Sequence, residues 1–128
     1  MLKNSDAENI IRLVTKNRLS FQSTHSKLCY PIILRLYKKM MVGIQFSPIK
    51  VDGNVLIDGH HRYIASLMAG SMIASSPSVK TAATNVIAWE LVTFDTDDWD
   101  TEVKIRMLNE QDAEYNKISI SQLLVLLK

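Results

Sequence analysis

The sequence predicts a small α+β domain spanning residues 1–128, a short mixed sheet with helices packed around it. Three observations point there. Apolar residues recur at helical spacing around Ile10, Leu36 and Ile64. Short alternating or wholly apolar runs, bounded by turn residues such as Asp52-Gly53-Asn54, lie between and after those helices. The chain has 128 residues, 47% of them hydrophobic, which suffices for one core but not for two ordinary domains.

Taken in order, Ser5-Asp6-Ala7-Glu8 has the form of a capping box. It opens a helix over residues 6–17 with the stripe Ile10, Ile11, Leu13 and Val14. Residues 18–29 lack periodicity and read as a polar connection, so 1–30 form an N-terminal helical extension. Tyr30-Pro31 starts a second helix, because proline is tolerated in a first turn whose N–H groups have no partner anyway. Ile33, Leu34, Leu36, Tyr37, Met40 and Met41 give that helix its core face, and Arg35, Lys38 and Lys39 a basic one. Gly43 stops it. Residues 47–51 alternate as a short strand, 52–54 are turn chemistry, and Val55-Leu56-Ile57 is a buried strand. Residues 60–69 form a helix with Ile64, Leu67 and Met68 inward and Gly70 closing it. Nine of the fifteen residues 71–85 are Ser, Ala or Thr, which predicts a mobile loop. Residues 86–93 are the most strand-like stretch, and Thr101 caps a helix over 102–109. A second capping box, Ser119 to Gln122, opens an apolar tail over 123–127, a last helix or strand.

Composition excludes several classes. One cysteine, Cys29, rules out an internal disulfide. No apolar run approaches the roughly 18 residues of a membrane span, and residues 1–6 lack the apolar stretch of a signal peptide. The expectation is a cytoplasmic chain in a reducing compartment, with no membrane partner. Its net charge of +2 hides an asymmetry. Residues 1–50 hold nine Lys/Arg against two acids, and residues 51–128 hold six against eleven. The basic half suits a polyanion, the acidic half of the same chain, an acidic protein, or plain solvation.

The chemistry concentrates in Asp58-Gly59-His60-His61-Arg62. A buried strand turns at glycine into the first turn of a helix, where unpartnered N–H groups and the helix dipole favour an anion. Arg62 offers a planar, bidentate clamp for phosphate oxygens. His60 and His61 belong to the residue type that titrates near neutrality and serves as acid or base. Asp58 orients a histidine, accepts a proton or holds a divalent ion together with substrate phosphates. Spacing alone leaves a structural alternative equally open. On it Asp58-Gly59 only ends a strand, Arg62 pairs with Asp58 or the acidic segment, and one histidine is simply buried. Zinc is not indicated, because adjacent histidines diverge on a helix and no Glu or Cys stands at the required spacing.

The run Pro48-Ile49-Lys50-Val51, then Val55-Leu56-Ile57-Asp58-Gly59-His60-His61-Arg62 and Ala65 to Gly70, resembles the ParB/sulfiredoxin superfamily. The likeness covers residues 34–70 well and 86–93 loosely. Together with residues 98–101 and 109–116, it resembles the ParB-like C-terminal domains of bacterial polymorphic toxins. The resemblance implies a ParB/sulfiredoxin-like fold and phosphate or nucleotide binding at Gly59, His61 and Arg62. His60 falls where sulfiredoxins carry their cysteine, while Cys29 lies far away, so sulfiredoxin chemistry is not implied. A centromere-binding partition protein also needs a downstream helix-turn-helix domain, for which this chain ends too soon, so that role is not expected.

The resulting expectation is a phosphoester-acting enzyme, a nuclease-type toxin domain. Arg62 and the turn after Gly59 hold phosphate, His60 or His61 moves a proton, and Asp58 orients it or binds Mg²⁺. Hydrolysis or transfer from ATP or CTP, and a non-catalytic nucleotide- or protein-binding module, are the alternatives. The expected partner is a nucleic acid or nucleotide. A delivered toxin would also have a cognate immunity protein and would act in the target-cell cytoplasm. Arg35, Lys38 and Lys39 are candidates to track a nucleic-acid backbone, with a plainly solvated helix face as the alternative. Trp89 and Trp99 read as core or lid residues, and Asp95, Asp97, Asp98, Asp100 and Glu102 as a solvated acidic loop. Nothing in the pattern singles out His25 or Cys29.

Overall fold

The computed structural model describes residues 9, 10, 12, 13, 16 and 19–128. It is a mixed α+β structure, as the sequence predicts. Asn9, Ile10, Arg12, Leu13 and Lys16 are helical, while the capping box at Ser5 to Glu8 lies outside the described residues. The chain then runs through β1 (Lys27–Cys29), α1 (Tyr30–Met41), β2 (Ile49–Asp52), β3 (Val55–Asp58), α2 (His60–Ala69) and β4 (Ser75–Pro77). A 3₁₀ turn (Trp89–Leu91), β5 (Thr93–Asp95), α3 (Glu102–Tyr115) and α4 (Ile120–Leu126) follow. No helix among the described residues is long and apolar enough to cross a membrane.

The central sheet has the order β3-β2-β4. β2 and β3 form an antiparallel hairpin with a bulge between Lys50 and Val51, and β4 adds parallel to β2. β1 and β5 make a separate parallel pair. The segment before β1 ties the two together, since Gln22 bridges to Val55 and Ser23 to Ile87. Ile33 of α1, Ile49 and Leu56 of the hairpin, Ile64 of α2 and Leu28 of β1 are fully buried in one core. A second, smaller cluster of Ile44, Ala113 and Leu123 seats the α3–α4 hairpin against the loop after α1.

Local chemistry explains most of the boundaries. Pro31 stands in the first turn of α1, whose last turn carries Lys38 and Lys39 toward the negative end of the dipole. Thr101 accepts from Lys104 N at 3.2 Å to start α3. Ser119 and Gln122 complete a reciprocal capping box at α4, which settles the apolar tail as a helix.

Five expectations need correction. Residues 86–93 are not one strand: Ile87 makes a single bridge, residues 89–91 turn as 3₁₀, and pairing begins at Thr93. Trp89 anchors the 3₁₀ turn, its indole donating to Phe21 O at 2.9 Å, and Leu91 in the same turn is exposed. The polar connection at 18–29 contains β1, and the loop at 71–85 contains β4. Helix α3 continues to Tyr115 rather than stopping near 109. Met40 packs on the core but Met41 is exposed.

Candidate functional site

Strand β3 ends at Asp58 and the chain turns into α2 through Gly59, whose φ of 96° is left-handed. The turn is tight as well as left-handed. A Cβ on Gly59 would stand 2.7 Å from Ile49 Cγ2 and 2.8 Å from Arg62 Nη2. Arg62 therefore folds back across the glycine, and its Nη2 donates to Pro48 O at 3.2 Å. The first α2 bond runs from Tyr63 N to Gly59 O at 2.8 Å, and no side chain caps the helix. The N–H groups of its opening turn are left for an acceptor from elsewhere.

Each of the two adjacent histidines is locked by a main-chain donor. His60 is 1% exposed, and its Nε2 accepts from Thr24 N at 3.1 Å. His61 Nε2 accepts from Cys29 N at 2.9 Å. An accepting Nε2 carries no proton, so in each neutral ring Nδ1 is the N–H donor. His60 Nδ1 is buried with no hydrogen-bond partner, and so is Arg62 Nε. Burial, reinforced by His25 and His61, pushes His60 down to about 3. Burial and then His25, with Arg62 adding to them against the opposing pull of Asp100, push His61 down to about 4. Both rings are thus neutral donors at pH 7, an arrangement suited to holding an anion.

The turn opens on a pocket of about 420 Å³. Asp58, Gly59, His60, His61 and Arg62 all line it, so the structure brings the expected constellation together. It also brings residues that sequence reasoning missed. His25, exposed, stacks face to face on His60 with ring centroids 3.9 Å apart. Trp99 meets His61 edge-on at 5.6 Å. Cys29 is fully buried and supplies the N–H that holds His61. Thr24 donates through Oγ1 to Leu56 O at 2.8 Å, which places its own N–H under His60. No sequence signal marks these residues, because they meet α2 only through non-local pairing.

The basic face of α1 is largely occupied. Arg35 is held by both oxygens of Asp98, and its Nη2 lies 2.9 Å from Asp100. That guanidinium keeps Asp98 below the usual carboxylate range. Lys39, 4% exposed, pairs with Asp112 at 2.7 Å. The basic half of the chain docks here on its own acidic half, the alternative that the charge asymmetry left open. Only Lys38 of the three has no pairing of this kind among the described residues. Asp58 is exposed and is not paired with Arg62. It supplies a single carboxylate at the pocket, and no group of three or more His, Cys, Asp or Glu among the described residues is placed to hold a metal. An Mg²⁺ there would take most of its ligands from phosphate and water, which suits that ion.

The histidine shifts give a first expected result. Their native values lie below the ordinary 6.5, so the unfolded chain binds more protons between about 6.5 and the native values near 3 and 4. Stability is full above pH 6.5 and falls as the pH drops through that window. His60 alone accounts for about 2 kcal/mol between pH 7 and pH 5. Urea unfolding at the two pH values measures this. Equal midpoints would contradict the buried neutral rings.

Comparison with known protein families, with characterised proteins and with solved structures finds no match to this chain.

Proposed function

We propose that the chain is a phosphoester-acting enzyme of ParB/sulfiredoxin-like type that holds its substrate's phosphate at the opening turn of α2. One observation carries this reading. An uncapped helix start, with the Arg62 guanidinium folded back over Gly59 and the His60 and His61 rings beside it, borders an open pocket. The first N–H groups of an uncapped helix have no internal partner, so an acceptor from outside the chain can complete them. A tetrahedral oxyanion supplies several acceptor oxygens and the negative charge that the helix start favours. His61 Nδ1, Arg62 and the opening N–H groups provide donors of the matching sign.

The phosphoester belongs to a nucleic-acid strand, which makes the domain a nuclease, or to a free nucleotide. Incubation with plasmid DNA, RNA, ATP and CTP, each with and without Mg²⁺, separates the two sources. Arg62→Ala is expected to weaken binding of inorganic phosphate ~10- to 100-fold, the worth of a charge-assisted hydrogen bond. Isothermal calorimetry reads this directly. Unchanged affinity in Arg62→Ala would remove the clamp, and absence of phosphate binding by the unaltered chain would remove the reading as a whole.

A further inference from the structure

We infer that His25, rather than His60 or His61, is the residue that moves the proton in this pocket. This rests on the phosphoester reading and assigns a role within it. Three imidazoles line the pocket. Two of them have their Nε2 lone pair engaged by a main-chain N–H, from Thr24 at 3.1 Å and from Cys29 at 2.9 Å. Either ring would have to break that bond to accept a proton at Nε2, and its Nδ1 already carries one. Their burial also disfavours the charged form that a base must become. They are built to donate hydrogen bonds and to stay neutral.

His25 differs on each count. Its side chain is exposed, and neither ring nitrogen has a hydrogen-bond partner among the described residues. Its position is nonetheless set. His25 N donates to Ser23 Oγ at 3.1 Å, and Ser23 Oγ donates to His25 O at 2.8 Å. Ser23 itself is fully buried. The ring lies against His60 at 3.9 Å with only 10° between the planes. This stack puts an imidazole with no hydrogen-bonded ring nitrogen on the wall of the same pocket. Charged groups sharing the pocket are Asp58 and Arg62 from the α2 turn, Arg35 and Lys39 from α1, and Asp100 and Asp112 from the α3 side. Arg35 and Lys39 are already paired to those last two acids. Asp58 is exposed and borders the same turn.

The step balances with water as the only co-reactant. A ring nitrogen of His25 takes a proton from water while the water oxygen forms a bond to phosphorus. The P–O ester bond breaks, its electron pair stays on the leaving oxygen, and that oxygen takes a proton from solvent. His25 then releases its proton to solvent. His61, Arg62 and the opening turn of α2 hold the phosphoryl oxygens throughout.

The test uses the full chain, His25→Gln and Arg62→Ala, with inorganic phosphate as binding probe and the four phosphoesters as substrates. His25→Gln is expected to bind phosphate within threefold of the unaltered chain and to lose at least 100-fold in turnover, the usual worth of a positioned acid–base group. Arg62→Ala is expected to lose binding. Diethyl pyrocarbonate labelling followed by mass spectrometry gives a second measurement. It should modify His25 ahead of His60 and His61, and phosphate should slow it. Turnover in His25→Gln within tenfold of the unaltered chain overturns the inference. Equal labelling of the three histidines, or phosphate binding with no turnover of any substrate, overturns it as well and leaves the binding reading intact. No phosphate binding by the unaltered chain overturns both.

Discussion

Gly59→Ala is expected to cost about 3–4 kcal/mol of stability and to abolish phosphate binding in whatever fraction remains folded. Two effects add. A side chain at φ 96° meets the left-handed penalty of roughly 1–2 kcal/mol. The new Cβ also falls 2.7 Å from Ile49 Cγ2, and overpacking of this kind costs about 1–3 kcal/mol. The second contact, with Arg62 Nη2 at 2.8 Å, is relieved by swinging the guanidinium away, which is cheap for stability but removes the clamp from the turn. Ile49 has no such freedom, being fully buried in the hairpin beneath α2. Gly53→Ala is the control. It sits at φ 58° with nothing within 4 Å of the added carbon, so it carries the conformational penalty alone, about 1–2 kcal/mol. Urea midpoints of the two variants isolate the clash. Equal losses would mean that the close approach of Gly59 to β2 is absent and that the turn is an ordinary strand ending.

The contrast between these glycines shows what could be read in advance. Both turns were legible, because Asp-Gly pairs between apolar runs are local chemistry. So were the first-turn proline of α1, the cap at Thr101 and the reciprocal cap at Ser119, each decided within four residues. The elements that escaped are β1, β4 and β5, each three residues long. Such strands are too short to show alternation and exist only because a distant partner accepts their hydrogen bonds. The candidate site divides the same way. Asp58 to Arg62 could be singled out as a motif, yet the task of each ring could not. Which nitrogen of His60 and His61 is free depends on N–H groups 36 and 32 positions away in the chain. His25 joins the site through the same non-local path. The basic face of α1 misled for an identical reason, since its partners Asp98 and Asp112 lie 63 and 73 positions downstream.

That last pairing carries the other large effect. Asp112→Asn is expected to destabilise the fold by about 2–4 kcal/mol, somewhat below the full cost of breaking a buried ion pair because Asp112 remains partly exposed. Lys39 is 4% exposed, so without its carboxylate the ammonium is left buried and unpaired unless α3 moves outward to let water reach it. Outward movement would strain a second attachment, for Asn116 at the end of α3 accepts from Gln45 N at 2.7 Å and donates to Gln45 O at 3.0 Å. Lys39→Met should cost less, because it leaves no buried charge and the partly exposed Asp112 can be hydrated. Phosphate affinity gives the functional half of the test. Lys39 is committed to holding α3, so Asp112→Asn should leave phosphate binding at the α2 turn within a few-fold and lower only the urea midpoint. Were Lys39 instead a ligand for a nucleic-acid backbone, freeing it from Asp112 would tighten binding to a polyanion and steepen its salt dependence. A clear gain in affinity for single-stranded DNA or RNA in Asp112→Asn would therefore return Lys39 to the binding surface. An unchanged affinity with a lowered midpoint would keep it as the strut that holds α3 across the pocket.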